Sequence, residues 1–142
     1  MTTKPATTYT GPLPNPERDD EEFWEGCKQH EFRLMQCKQC GRKRLFGNPM
    51  CSHCNSLDYE AVVGSGRGTV WSWTTTQHAF SPVWRDRLPY NLTVVQLDEG
   101  LRFTTIVVDC PESDLSIGMP VEVAWEDVTE EFSLPKFRPA KR

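Results

Sequence analysis

Two pairs of cysteines are the residues whose types and spacing most clearly predict chemistry. Cys37 and Cys40 form the first pair, Cys51 and Cys54 form the second, and ten residues separate the pairs. Two residues between paired cysteines let both sulfurs turn toward one ion, so the two pairs supply the four thiolates of a tetrahedral zinc site. A site with four protein ligands leaves no position for water or substrate. The sequence therefore predicts a structural zinc ion.

A basic run accompanies the cysteine pairs. It consists of Lys38, Arg42, Lys43 and Arg44. Four thiolates around a divalent ion carry a net charge of about −2, which these side chains can offset. We interpret the run as a solvated, charge-balancing face, with phosphate binding as the alternative.

Two of the six cysteines, Cys27 and Cys110, lie outside the pairs. Two tight pairs with two scattered cysteines favour metal binding in a reducing compartment over three disulfides. Neither Cys27 nor Cys110 has a neighbouring histidine or acid that would mark a nucleophile. We expect both to be buried or half-buried small apolar side chains.

The elements that position the cysteine pairs are a helix and short strands. Asn15 with Pro16 at the first helical position predicts a helix that runs to about Lys28. Phe23 and Trp24 lie on one side of it, where they either dock the helix onto the ribbon or meet another protein. Residues 32–34 predict a strand into the first pair, and residues 59–63 predict the return strand of a zinc ribbon.

The second half of the chain predicts a sheet. Segments of alternating β-branched, aromatic and polar residues lie at 69–75, 92–97, 101–108 and 121–126. The glycine-rich stretch 64–68 predicts a linker or a bulge, and the proline-containing tail 130–139 predicts a last edge strand. The predicted fold is mostly β: an N-terminal helix and zinc ribbon, then a small antiparallel barrel of the OB type.

An apparently irregular excursion over residues 77–91 interrupts these strands. It contains His78, Phe80, Trp84, Arg85, Arg87 and Tyr90. Long loops in compact domains are usually functional or disordered, and the aromatic content favours function. Trp and Arg are enriched at interface hot spots, so we predict that this segment contacts a partner. A structural role for His78 is favoured over a general base, because no acid or nucleophile is paired with it.

Length, charge and hydropathy argue against phosphate-binding, membrane-spanning and secreted classes of protein. The 142 residues predict one modest core, and the net charge of −4 argues against affinity based on phosphate neutralisation. No apolar stretch is long enough to span a membrane, and the amino terminus lacks a secretory signal, so we expect a cytoplasmic protein without membrane or nucleic-acid partners.

Several motifs in the chain together form a recognisable order, and the cysteine pairs are the most specific of them. The other motifs are Phe23-Trp24, residues 66–70, His78, Pro89-Tyr90, residues 95–100, residues 117–121 and residues 134–139. In this order the chain resembles the acyl-CoA-associated OB-fold proteins with an N-terminal rubredoxin-like zinc ribbon. The resemblance covers about residues 20–140. Composition and pattern along the chain lead us to divide it into a flexible arm (1–14), a helix with a zinc ribbon (15–64) and an OB-fold domain with a C-terminal tail (65–142).

The resemblance implies an accessory subunit beside a thiolase-like chain that carries the catalytic residues, so we expect none here. It also implies structural Zn²⁺, a hetero-oligomer and a CoA thioester as the ligand of the complex. The benzoylsuccinyl-CoA thiolase of anaerobic toluene degradation is the most specific expectation, with steroid side-chain lyases and acetyltransferases of aromatic polyketides as the alternatives. Candidate contacts to partner or acyl-CoA are His78, Phe80, Trp84, Arg85, Arg87, Tyr90, Arg67, Lys136 and Arg138.

Two other functions stay open on the sequence. Zinc ribbons and OB barrels often bind single-stranded nucleic acid, and Trp71, Trp73 and Phe103 could stack on bases. A self-contained acyl-CoA binder is the other alternative, because Arg67, Arg85, Arg87, Lys136 and Arg138 have the charge to meet CoA phosphates.

Overall fold

A computed structural model describes residues 9–141 of the chain. Its helices and strands are α1 (Glu21–Lys28), β1 (Arg33–Cys37), β2 (Lys43–Arg44), β3 (Tyr59–Val63), β4 (Arg67–Thr76), α2 (Pro82–Arg85), β5 (Tyr90–Leu97), β6 (Arg102–Thr105), β7 (Pro120–Asp127) and β8 (Ser133–Pro139), with a 3₁₀ turn at Glu112–Asp114. Residues 1–8 of the predicted arm, and Arg142 in the tail, lie outside the described residues.

The first sheet is the predicted ribbon. It has three antiparallel strands in the order β2-β1-β3, and β1 pairs along its whole length with β3, from Arg33 opposite Val63 to Cys37 opposite Tyr59. The predicted return strand at 59–63 coincides with β3. The ribbon therefore brings the end of β1, which carries Cys37, beside the start of β3.

The second sheet is a curled antiparallel half-barrel with strand order β6-β5-β4-β7-β8. Its two edges approach each other just after β6: the Val108 N–H donates to the Phe137 carbonyl at 2.7 Å, and the Phe137 N–H donates to the Ile106 carbonyl at 3.2 Å. The proline-containing tail is the predicted last edge strand, β8. These features confirm the mostly β class with a helix, a zinc ribbon and an OB-type sheet.

A register shift between Val70 and Ser72 bends β4 against β5, as a β-bulge does. Gly68 lies in the same strand pair, where a Cβ atom would be 2.3 Å from the Gln96 carbonyl oxygen. Part of the predicted linker 64–68 is therefore the start of β4, and the close approach of two backbones requires glycine at position 68.

One hydrophobic core joins α1, the ribbon and the half-barrel. Phe32 is at its centre: its ring centroid lies 5.0 Å from that of Phe103, 5.8 Å from that of Phe23 and 6.1 Å from that of Phe137. Edge-to-face aromatic contacts of this kind add to the burial of apolar area. Phe23 therefore docks α1 onto the ribbon and the barrel together.

The predicted start of the helix was wrong. Asn15 and Pro16 precede it, and α1 begins at Glu21. The Asp20 carboxylate accepts the Glu17 N–H at 2.8 Å, and the Glu21 N–H donates to the Glu17 carbonyl at 2.9 Å. These bonds form a separate turn at 17–20 in front of the helix, where a favourable N-cap sequence alone predicted continuous helix.

The excursion at 77–91 is more regular than the sequence indicated. Residues 82–85 form the short helix α2, and Tyr90 with Asn91 already belongs to β5. Asn91 explains the early start of that strand, because its side chain donates to the Val107 carbonyl and accepts the Val107 N–H, both at 2.8 Å. Within the described residues, no helix is long and apolar enough to cross a membrane.

A four-cysteine metal centre and a neighbouring aromatic loop

The four paired cysteines converge on one point of the ribbon. Their sulfur atoms all lie within 4.8 Å of one another, with Cys37 Sγ 3.5 Å from Cys54 Sγ and Cys40 Sγ 3.6 Å from Cys51 Sγ. A tetrahedral site with Zn–S bonds of about 2.3 Å places its sulfurs about 3.8 Å apart. These separations exceed the S–S bond of a disulfide, about 2.05 Å. The donor set therefore fits a tetrahedral zinc ion.

Each pair presents its first sulfur to backbone N–H groups. The Cys40 N–H, together with the Gln39 N–H, lowers the pKa of the Cys37 thiol to about 6. The second pair repeats this arrangement, because the N–H groups of Cys54 and His53 lower the pKa of Cys51. The turns therefore favour thiolates, the form that binds metal.

The pKa of the last cysteine, Cys54, shifts in the opposite direction to that of Cys37 and Cys51. The Ser56 N–H favours the Cys54 thiolate, yet burial and hydrogen bonds with the other three sulfurs raise the pKa of Cys54 to about 12. Negative charge gathered on neighbouring sulfurs opposes the loss of another proton. A divalent cation removes that opposition, so the charge balance of the site also fits a bound metal.

Arg44 corrects the interpretation of the basic run as a solvated face. Its residue surface is only 8% exposed, whereas Lys38, Arg42 and Lys43 are exposed as predicted. Its guanidinium donates to the carbonyls of Asn48 at 2.6 Å and Pro49 at 3.2 Å. Arg44 therefore holds the turn that returns the chain to the second cysteine pair.

A lobe of stacked side chains organises the loop between β4 and β5. The guanidinium of Arg87 lies between two rings, 5.1 Å from the Tyr9 centroid and 5.2 Å from the Trp84 centroid. Trp84 also packs against Tyr90, with centroids 5.2 Å apart. Cation–π and aromatic contacts of this kind hold a loop in one conformation. Tyr9, in the predicted flexible arm, was not predicted to take part.

The tip of this lobe is exposed. Phe80 is 90% exposed, its ring lies 5.0 Å from that of His78, and the exposed Val83 lies in α2. Arg85 is exposed beside them. We call residues 78–90 the aromatic lobe. Within it, His78 contacts Phe80, Trp84 contacts Arg87 and Tyr90, and Arg85 is exposed.

Lys136 is close enough to this lobe to interact with Arg87 electrostatically. Burial lowers the pKa of Lys136, and the neighbouring positive charge of Arg87 adds to the effect, while Glu126 at 3.7 Å opposes it. Lys136 lines a cleft together with Leu134 and Ile106. A half-buried amine in apolar surroundings favours a negatively charged or strongly polar ligand group.

The remaining two candidates lie elsewhere. Arg67, Glu122 and Arg138 are directly opposite one another on three adjacent strands, and Arg138 Nε is 3.2 Å from a Glu122 carboxylate oxygen. The carboxylate between them offsets part of their charge. Arg67 and Arg138 therefore form a surface ion cluster that is separate from the aromatic lobe.

Ser133, Asp127 and His30 have the residue types of a hydrolytic triad but not its order. His30 Nε2 is 2.7 Å from Asp127 Oδ1, and the Ser133 hydroxyl donates to the same oxygen. A nucleophilic serine needs the histidine between itself and the acid, whereas here the acid is in the middle. The His30 ring stacks on Trp125 at 5.4 Å. The cluster joins the end of α1 to the β7–β8 hairpin.

The proposed base-stacking residues do not form one platform. Phe103 packs in the core against Phe32 and Phe137, and Trp71 is covered by Arg102, whose guanidinium carbon lies 3.9 Å from the ring centroid. The sequence did not predict the contact between Arg102 and Trp71, because the two residues lie on different strands, β6 and β4. Phe103 therefore cannot stack on a nucleic-acid base without leaving the core.

Fold and site together define a class: a four-cysteine ribbon followed by an OB-type half-barrel. Two family models match this chain consecutively, the ChsH2 rubredoxin-like zinc ribbon domain over residues 24–60 and the ChsH2 C-terminal OB-fold domain over residues 61–126. The zinc ribbon match and the four clustered cysteines support Zn²⁺ as the metal.

The chain belongs to the ChsH2 family of zinc-ribbon and OB-fold proteins, also called DUF35. It is 30% identical over 110 residues to a DUF35 domain-containing scaffold protein of Methanocaldococcus jannaschii, a match that covers 76% of this chain and 77% of that protein. A solved structure titled "Ltp2-ChsH2(DUF35) aldolase" is 35% identical with a TM-score of 0.81, and the match covers 91% of this chain and all of the other.

A curated relative with a longer chain also matches. It is named probable enoyl-CoA hydratase alpha subunit, from Thermomonospora curvata, and is 35% identical over 129 residues. The match covers 91% of this chain, but this chain spans only 40% of that relative.

Proposed function

We propose that this chain is a non-catalytic, zinc-containing subunit of a hetero-oligomer whose thiolase-like partner makes or breaks C–C bonds in acyl-CoA thioesters. The observation that carries the proposal is the match to the ChsH2 chain of an aldolase complex, which extends over all of that chain.

The aromatic lobe is the surface that we assign to the partner. Phe80 and Val83 expose apolar area at its tip, and the stack of Tyr9, Arg87 and Trp84 holds the tip in place. A surface that is already ordered loses less conformational entropy on binding. Aromatic and Arg side chains dominate the energy of many interfaces, so the lobe has the composition of an interface anchor.

The acyl-CoA site of the proposed complex lies beside the lobe, where Lys136 and Arg87 meet. Their positive charges suit a thioester ligand that carries phosphates and carbonyl groups. We assign Arg67 and Arg138 a lesser role, because Glu122 offsets their charge.

A bulky acyl-CoA, with benzoylsuccinyl-CoA as the specific proposal, is the expected substrate of the complex. The support is the resemblance of the chain to small subunits of thiolases that act on such substrates. Thiolysis assays of the complex with benzoylsuccinyl-CoA and with acetoacetyl-CoA test this point. Equal or greater activity on the small substrate would contradict it.

Substitution at the tip of the lobe tests the interface. The double variant Phe80→Ser/Val83→Ser removes exposed apolar area, and we expect it to weaken partner binding by about 30-fold or more, the effect of losing a hot spot. Leu57→Ser is the matched control, because Leu57 is also apolar and 67% exposed but lies on the ribbon. Calorimetry with the partner measures both. Equal affinities for the two variants would exclude the lobe as the interface.

A hydratase complex is the second candidate, because a relative with 35% identity is named a hydratase alpha subunit. In that case the partner would add water to an enoyl-CoA instead of cleaving a C–C bond. Incubating the purified complex with an enoyl-CoA and, separately, with a 3-oxoacyl-CoA plus free CoA separates the two reactions. Hydration without thiolysis would favour the second candidate.

A further inference from the structure

A basic cleft lies between the ribbon and the half-barrel, away from the lobe assigned to the partner. It has a volume of about 410 Å³, and its walls include Arg42, Lys43 and Arg44 from the ribbon and Arg102 from β6. Among the described residues that line it, none is acidic. Four basic side chains around one cleft contrast with a chain whose net charge is −4.

The exposed cations of this cleft lack protein counter-charges. None of the ion pairs between described residues involves Arg42, Lys43 or Arg102. Exposed cations are usually balanced by solvent, but their convergence on one concave surface raises the local concentration of anions. A multiply charged anion would therefore be favoured in the cleft over a monovalent one.

Arg44 is an independent indication that this cleft takes an anion. The residue is more than nine-tenths buried on the wall of the cleft, and two of its guanidinium nitrogens donate to carbonyls of the turn. The third, Nη1, is buried without a hydrogen-bond partner among the described residues, and the guanidinium also contacts the Tyr59 ring, whose centroid lies 5.7 Å from Cζ. A buried charged donor without an acceptor is costly, and an oxyanion that reached it would supply the missing acceptor.

Arg102 is held at the opposite wall. The central carbon of the Arg102 guanidinium lies 3.9 Å from the centroid of the Trp71 ring. Stacking on an aromatic face restricts the side chain and leaves the N–H groups at its edge free to donate. The two walls therefore present arginines whose positions are set by other contacts.

We propose that this cleft binds a phosphorylated small molecule through its phosphate oxyanions, held by Arg42, Lys43 and Arg44 on one side and by Arg102 on the other. A phosphate monoester carries about −1.5 to −2 charges at neutral pH and three acceptor oxygens, which matches several cations better than a single carboxylate does.

Calorimetric titration of the zinc-loaded full chain tests the proposal with two probes, inorganic pyrophosphate and adenosine 3′,5′-bisphosphate. We expect saturable binding that weakens as salt is raised. Binding of both probes assigns recognition to phosphate alone, and tighter binding of the bisphosphate shows a contribution from the attached base. Absence of saturable binding by either probe would overturn the proposal.

One substitution on each wall locates the site. Lys43→Gln and Arg102→Gln should each weaken binding by about tenfold, the effect expected for one charge-assisted hydrogen bond. Lys28→Gln is the control, because it removes an exposed cation of α1 that does not line the cleft, and it should leave binding unchanged. Arg44 is left intact, since it supports the ribbon.

Two further measurements separate the rival explanations. Zinc content is determined for each variant: loss of zinc in Lys43→Gln without loss of probe binding would mean that the basic run only balances the metal site. A labelled single-stranded oligonucleotide is titrated in parallel. Binding of the oligonucleotide when neither small probe binds would replace the proposal with a nucleic-acid surface. These results do not depend on the proposed partner.

Discussion

At the scale of single residues, burial separates side chains that look alike in the sequence. Cys27 and Cys37 are both buried, but burial dominates at Cys27 and raises the pKa of its thiol, whereas backbone N–H groups dominate at Cys37 and favour its thiolate. Arg44 and Lys43 are neighbours in β2, and only Arg44 turns into the protein. Neighbouring atoms, more than residue type, therefore decide which of these side chains bind metal and which support the fold.

Cys27 should be chemically inert in the folded protein. It is fully buried, and burial raises the pKa of its thiol to about 12. Burial and the nearby Asp114 also raise the pKa of Cys110. The thiolate is the reactive form, so a thiol reagent at pH 8 should modify the half-exposed Cys110 slowly in the zinc-loaded chain and leave the fully buried Cys27 untouched. Mass spectrometry of digested peptides identifies the modified residue. Rapid modification of Cys27 before unfolding would contradict its position in the core.

Arg44→Gln should destabilise the ribbon. Loss of the guanidinium leaves the carbonyls of Asn48 and Pro49 without donors, and we expect a loss of about 1–3 kcal/mol in the free energy of unfolding. Lys43→Gln, one residue earlier and exposed, is the control and should change stability by less than about 0.5 kcal/mol. Denaturant unfolding measures both. If the two variants are equally stable, Arg44 contributes no more to stability than the exposed Lys43 does.

At the scale of elements, α1 joins the other parts. Phe23 packs against Phe32, in the segment leading into β1, and against Phe103 of β6. The Tyr59 hydroxyl of β3 donates to the Glu22 carboxylate at 2.7 Å. Phe23 therefore joins the helix to the barrel, and Phe23 and Glu22 together join it to the ribbon. Movement of α1 would disturb both sheets.

The contribution of Tyr59 should depend on pH. The hydrogen bond to Glu22 raises the pKa of Tyr59 above its usual value. The folded state then favours the neutral phenol, so its contribution is complete below about pH 10 and is lost as pH rises through the folded pKa. Tyr59→Phe should cost about 0.5 kcal/mol at neutral pH, at the low end for a hydrogen bond because the site is half exposed.

Unfolding free energies of the wild type and Tyr59→Phe at pH 7, 9 and 11 measure this effect. The difference between the two proteins should shrink toward pH 11. A difference that stayed constant or grew with pH would mean that the hydrogen bond to Glu22 does not stabilise the fold.

Removal of zinc should unfold the ribbon first. The ribbon has three short strands, one of only two residues, and its second cysteine pair lies on turns outside the strands. Cys37→Ser should lose zinc and, under the proposed function, partner binding with it, because four-ligand zinc sites supply folding free energy directly. Atomic absorption measures the metal, and size-exclusion chromatography measures the complex. A zinc-free variant that still assembled fully would make the ribbon dispensable.

At the scale of the whole molecule, the sequence predicted what depends on local pattern. The spacing of the cysteine pairs predicted the metal centre, and alternation of apolar and polar residues predicted β3, the barrel strands and the edge strand β8. The division of the chain at residues 14 and 64 stays a prediction. Cysteine ligation and strand alternation are set within a few residues, so one sequence is enough to identify them.

What the sequence did not predict depends on long-range contacts. Tyr9 stacks on Arg87 from 78 positions away, and Arg102 covers Trp71 from a non-adjacent strand. Arg44 is buried because the turn at 48–49 offers two carbonyls, a feature that a run of basic residues conceals. The aromatic lobe and the basic cleft both arise from such contacts, and their geometry became visible only in the folded chain.

The central claim, that this chain completes a catalytic complex, is tested most directly by co-expression with a thiolase-like protein encoded next to it in the same genome. The purified material is analysed by size-exclusion chromatography and assayed for thiolysis of an acyl-CoA. We predict one hetero-oligomer that contains both chains and zinc, and thiolase activity that is lost when this chain is omitted. Separate elution of the two chains, with full activity of the thiolase alone, would contradict the claim.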